Sequence, residues 1–180
     1  KLTQEFPREP KYIQVGRRGG PAQTISHAVQ TMASNEKTQW LARWLRDEAI
    51  GPVLIFCRTK IGAERLAQRL SGMGIRAASL HADRTQQQRM AAVEGFRTGT
   101  YPVLVATDVA QEGLDMPKCS FVIRYNFVSN EIGGVQSRGR ARTRNSECYL
   151  IVERGSVNEK RETENLEKEH LMLVALEDIG

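Results

Sequence analysis

Arginine stands at every second position from Arg138 to Arg144 in the stretch Gln136-Ser137-Arg138-Gly139-Arg140-Ala141-Arg142-Thr143-Arg144. Guanidinium groups carry a permanent charge and planar pairs of donors that match phosphate oxygens, and Gly139 lets the backbone come close to a ligand. An arginine pair held out by one domain can stabilise the charge that develops on a phosphoryl group bound by another. Taken alone, the same run also fits a solvated basic patch or a nuclear-localisation-like signal.

Other loops offer complementary groups. Thr107-Asp108-Val109-Ala110-Gln111-Glu112-Gly113-Leu114-Asp115 brings a hydroxyl, backbone amides and carboxylates together directly after an apolar run. A Thr hydroxyl and free N–H groups can hold a nucleic-acid phosphate, and a carboxylate can accept from ribose hydroxyls. His81-Ala82-Asp83 and Arg58-Thr59 each follow a further apolar run. Each of these has a plainer reading: a capped loop, a turn before Thr85, or a histidine that only packs at a strand end. The chain has no GxxxxGK[ST] phosphate loop, no carboxylate pair suited to Mg²⁺ and no Ser/His/Asp set at triad spacing. Chemistry on a phosphate therefore needs a partner.

The loops hang on alternating elements. Ile25, His27 and Val29 alternate as in a half-buried strand. Ser34 is the expected cap of a helix with Trp40, Leu41, Trp44 and Leu45 on its apolar stripe, stopped by Gly51-Pro52. Strands are expected at 53–57, 75–80, 103–106, 121–125 and 148–152, and helices at 59–70, 85–96 and 132–139. The second of these helices should turn Met90, Val93 and Phe96 to one side. Short apolar runs separated by helices argue for an α/β fold, a mostly parallel sheet with helices on both faces, and functional residues then gather at the carboxyl ends of the strands. Residues 1–22 read as a linker, with Tyr12 to Val15 able to pair as an edge strand. Residues 157–179 read as a charged helix with a narrow stripe of Leu166, Leu173, Leu176 and Ile179, expected to pack against something outside the chain.

Composition bounds the classes. The chain has 180 residues, 40% apolar and 26% charged, enough for one domain with a full core. Its net charge of +5 is unevenly spread: residues 147–180 hold nine acids and four bases, leaving +10 on the rest. A basic body suits a polyanion such as nucleic acid. No apolar run approaches the ~18 residues of a membrane span, and Lys1 to Pro10 has no secretory core. A cytosolic or nuclear protein is left, with a cytoplasmic location as the expectation. Cys57, Cys119 and Cys148 are isolated, without zinc spacing, and read as buried thiols. The abrupt ends suggest a piece of a longer protein.

Four motifs in order resemble the second RecA-like domain of superfamily 2 helicases. Val53 to Thr59 resembles motif IV, and Leu80-His81-Ala82-Asp83 with Gln86 and Arg89 resembles motif IVa. Leu104 to Asp108 through Gly113-Leu114-Asp115 resembles motif V, and Gln136 to Arg142 resembles motif VI. The first half, with Arg8 to Gly16, is similar to DEAD-box RNA helicases. The second half, at 111–115, 122–125, 130–132 and 136–142, resembles the RIG-I-like receptors and the Dicer helicase, which act on double-stranded RNA. A natural intermediate and a chimera joined near the middle both stay open.

The resemblance implies a RecA-like three-layer sandwich over 23–155, a linker before it and a helical extension over 156–180. It implies the C-terminal half of an ATP-dependent RNA helicase or translocase, inactive alone, with Mg²⁺ held mainly by an N-terminal RecA-like domain. Arg140 and Arg142 would touch the triphosphate, with Gln136 ordering that site. Many superfamily members place the second arginine at the position of Thr143, which makes Arg142 the departure in the pair. Gly113 and Asp115 would hold the nucleotide, Asp115 at the ribose. Arg58, Thr59, Ala82, Thr107 and Glu112 would face RNA phosphates and ribose, Ala82 through backbone alone. The rival readings are a protein-assembly module docked through the acidic tail helix and a plain basic RNA-binding domain.

Overall fold

The computed structural model describes residues 11–15, 25–111, 116–128 and 147–177. Seven strands form one sheet: β1 (Lys11–Val15), β2 (Ile25–Met32), β3 (Val53–Cys57), β4 (Ala77–Leu80), β5 (Val103–Ala106), β6 (Phe121–Tyr125) and β7 (Glu147–Glu153). Their order is β1-β2-β7-β6-β3-β5-β4. All neighbours run parallel except β1, which pairs antiparallel with β2 at the edge. The short run that could pair as an edge strand does so, one residue longer than expected.

Continuous apolar runs mark the centre. All five residues of β3 and all four of β5 are buried, because helices cover both faces and leave no solvent side for alternation. On one face lie α1 (Lys37–Asp47) and α2 (Lys60–Gly72), placing Leu41, Leu66 and Leu70 against Ile55, Val105, Ile123 and Ile151. On the other, α3 (Gln86–Arg97) packs Val93 and Phe96 against Leu54, Phe56 and Leu104. Each such fully buried side chain contributes roughly 1.5–3 kcal/mol over its exposed state. Trp44 closes the lower part of the α1 face, edge-on to Phe121 with ring centroids 5.0 Å apart.

Two expectations need correction. Ser34 does not cap α1; it sits in a turn that carries the chain to Glu36, and the helix starts at Lys37. Met90 is exposed, not packed beside Val93 and Phe96, because the inward stripe of α3 runs through Ala92, Val93 and Phe96 and a residue at position 90 falls off its flank. The start of the tail helix α4 (Val157–Glu177) packs on this chain's own sheet, against β7 and, through Glu162, against β6, while the stripe of Leu166, Leu173, Leu176 and Ile179 lies outside the described side chains.

Two glycines permit close approaches, one in a turn and one within α3. Gly51 has φ +108°, and a Cβ there would stand 2.4 Å from Ser120 Oγ. A Cβ on Gly95 would stand 2.5 Å from the Tyr101 ring.

Candidate nucleic-acid interface

Because β3, β5 and β4 are adjacent and parallel, the loops that leave them come to one edge of the sheet. Arg58 and Thr59 follow β3, both exposed. Thr59 caps α2, its Oγ1 accepting from Gly62 N at 3.0 Å, so the hydroxyl proton stays available to an outside acceptor. After β4 comes His81-Ala82-Asp83, with Ala82 exposed. After β5 comes Thr107, whose N–H donates to Leu80 O at 3.1 Å and ties the end of β5 to the end of β4. The 3-10 turn Asp108–Gln111 is held from the side by Arg89, whose Nη2 donates to Ala110 O at 2.8 Å.

These turns are braced by a group that the sequence reading did not single out. Glu64 lies one helical turn beyond Lys60 on α2. Its Oε2 accepts from Ser79 Oγ at 2.5 Å, His81 Nε2 at 3.0 Å and Arg84 Nη2 at 2.8 Å; Gln68 Nε2 donates to its Oε1 at 3.0 Å. The Ser79 hydrogen bond first, then that of His81, and then Arg84 hold the Glu64 carboxyl at about 2 against the opposing effect of burial. Glu64 thereby grips both sides of Ala82-Asp83. Lys60 Nζ adds a bond to Asp83 Oδ1 at 2.8 Å across the same turn. Thr85 then starts α3 with a capping box, its Oγ1 accepting from Gln88 N while Gln88 Oε1 accepts from Thr85 N.

The expected plain roles are therefore present beside the candidate ones: His81 is buried and packs at a strand end, and the turn before Thr85 is a capped turn. The register could have exposed Glu64, since Ser79 on β4 and His81 just beyond it stand at i, i+2 and meet the α2 face that carries residue 64. Cys57 is no candidate nucleophile, because burial pushes its thiol up to about 12.

The structure brings Arg58, Thr59, Ala82 and Thr107 to the same edge. Glu112, Gly113, Asp115, Gln136, Arg140 and Arg142 lie outside the described residues, as does the helix expected at 132–139.

On β6, the strand next to β3, α4 is fastened by a sealed ion pair. Arg124 on β6 meets Glu162 through both guanidinium nitrogens, one bond being Nη1 to Oε2 at 3.2 Å, and the two side chains are 5% and 3% exposed. Asn158 Nδ2 donates to Asn126 O at 3.2 Å, and Ser156 Oγ accepts from Glu159 N at 3.3 Å.

A mostly parallel sheet covered on both faces, with its loops gathered at the carboxyl edge, is a RecA-like α/β domain. The chain superposes on the DEAD-box protein SrmB of E. coli, solved with the regulator of ribonuclease activity A, over 71% of its own length and 75% of that chain, with a TM-score of 0.65 and 28% identity. A DEAD-box protein from the hyperthermophile Methanococcus jannaschii matches over 81% of this chain and 38% of that one, with a TM-score of 0.63 and 27% identity. In sequence, DEAD-box ATP-dependent RNA helicase 21 of Oryza sativa subsp. japonica is 35% identical over 130 residues, which is 72% of this chain and 18% of that protein. Residues 36–144 match the helicase conserved C-terminal domain, and the chain belongs to that family. It spans about a fifth of the length of the curated relatives it matches.

Proposed function

We propose that this chain is the C-terminal half of an ATP-dependent RNA helicase or translocase, binding RNA across the carboxyl edge of its sheet. The observation that carries the reading is the convergence of Arg58-Thr59, Ala82-Asp83 and Thr107 on one edge of a helicase-family domain. A guanidinium, two hydroxyls and exposed backbone suit phosphates and 2′-hydroxyls without base readout. Arg140 and Arg142, ordered by Gln136, are assigned to the triphosphate of ATP, with Gly113 and Asp115 at the nucleotide and Glu112 at RNA. These assignments rest on the motif resemblance. When bound, ATP with Mg²⁺ supplies the phosphoryl group, and a missing N-terminal RecA-like domain holds the metal.

The relatives named above are DEAD-box proteins and lend no weight to a RIG-I-like or Dicer-like second half. That finer reading, with its preference for double-stranded RNA and its chimeric origin, rests on residues 111–142 alone. Competition between single- and double-stranded RNA of equal length decides the strand preference. A cytoplasmic site of action and a protein contact through residues 157–180 belong to the same proposal, checked by cell fractionation and by deletion of 169–180 in a binding assay.

The 180-residue chain alone should hydrolyse no ATP above background. Joined to an N-terminal helicase half, it should show RNA-stimulated turnover that Arg140→Ala abolishes. Turnover by the chain alone would overturn the half-site reading. Unchanged turnover in Arg140→Ala would favour an assembly module, and RNA affinity indifferent to nucleotide and to Asp115→Ala would favour a plain basic binding domain.

A further inference from the structure

The start of α1 carries an amine that the domain itself leaves incomplete. Lys37 is only 4% exposed, yet its Nζ makes no hydrogen bond or ion pair among the described residues. It lies over the Tyr125 ring, 5.8 Å from the centroid. Burial lowers its pKa, partly offset by the Glu153 carboxylate, with which it forms no ion pair. Its Nζ is not among the fully buried unpaired atoms, so the buried stem leaves the ammonium in touch with solvent beside the ring face, within reach of a ligand. Such a group is a candidate for an acceptor supplied from outside.

Its surroundings define that acceptor. Thr38 Oγ1 and Tyr125 Oη share a hydrogen bond of 2.9 Å. Only one of the two hydroxyl protons is used in it, so the other remains available to an anion. The first turn of α1 has no acidic residue, and Glu36, at the cap position, makes no side-chain cap bond; its Oε2 accepts instead from Ala33 N at 3.2 Å. The positive end of an eleven-residue helix therefore faces the same place. Tyr125 is the last residue of β6 and pairs in register with Cys57, the residue before Arg58. The notch thus adjoins the proposed RNA edge.

We propose that Lys37, Thr38 and Tyr125 form a phosphate-oxygen subsite that extends the row begun by Arg58 and Thr59. The inference rests on the reading of that edge as a nucleic-acid surface. The phosphate belongs either to the RNA backbone or to a nucleotide, and the two sources are separable.

The test measures binding of the 180-residue chain to a fluorescently labelled single-stranded 12-nucleotide RNA over a salt series and, separately, to ATP with Mg²⁺. Lys37→Gln should weaken RNA binding by about five-fold and flatten the slope of log affinity against log salt by about 0.7, the loss of one phosphate contact on a single strand. Tyr125→Phe, which keeps the ring and removes one hydroxyl, should weaken it about two-fold. Lys37→Arg should restore the slope. Matching thermal midpoints would show that the variants fold. Weakened ATP binding with RNA binding intact would assign the same subsite to a nucleotide phosphate. Arg58→Ala weakening RNA binding while Lys37→Gln and Tyr125→Phe change neither ligand would overturn the subsite and leave the RNA edge standing. No RNA or ATP binding by the unsubstituted chain would overturn both.

Discussion

Two acidic side chains organise opposite sides of this domain, and they do so under different solvent. Glu64 is about one-third exposed and divides its oxygens among four partners from α2, β4 and the turn after β4. Glu162 is sealed and meets Arg124 with both carboxylate oxygens. A shared, half-wet carboxylate can lose one donor and keep the others, so it suits a turn that meets ligands. A sealed pair cannot turn to water when either partner goes. It suits a fixed junction, here between β6 and α4.

This contrast can be broken at several points. Glu162→Ala should cost about 3–5 kcal/mol in urea unfolding, since it removes the carboxylate that offsets a buried guanidinium. Replacing both partners, Arg124→Met with Glu162→Leu, should recover that loss. If Glu162→Ala costs no more than a surface change, the junction is not sealed in solution. Glu64→Gln should cost less, about 1–2 kcal/mol, because Gln68, Arg84 and water can re-form part of the network.

Acid separates the two sites further. The Glu64 carboxyl titrates at about 2 in the fold, below its ordinary 4.5. Its contribution to stability is therefore complete above about pH 4.5 and is lost as pH falls toward 2. Between those values the unsubstituted chain should lose stability more steeply than Glu64→Gln. Parallel curves would show that the hub does not form.

Two smaller effects complete the series. Thr59→Ala removes the cap of α2 and should cost about 1 kcal/mol. Lys60→Ala breaks an exposed bridge, Lys60 and Asp83 being 51% and 57% exposed, and should cost under about 1 kcal/mol and still less in high salt.

The layered sheet was legible in the sequence because β3 and β5 are buried on both sides and leave uninterrupted apolar runs. The turns after β3, β4 and β5 were legible because residues such as Arg58, Thr59 and Thr107 sit where such runs end. Glu64 was not, since its role exists only once β4 and α2 are in register. Arg124 and Glu162 stand 38 residues apart and look like ordinary surface charges until α4 folds back. Ser34 looked like a cap because its type is right, but the turn over residues 34–36 in which it sits sets the helix start. Met90 shows the limit of an apolar letter without an angle. The arginine run that drew attention first lies outside the described residues, so its role still rests on the motif alone.

The edge strand has a consequence of its own. β1 covers only residues 25–29 of the eight-residue β2. Proteolytic clipping after residue 16 would release that cover and leave a long row of unpaired amides and carbonyls, a template for joining another chain edge to edge. A clipped preparation should therefore self-associate more readily than the intact chain as its concentration rises.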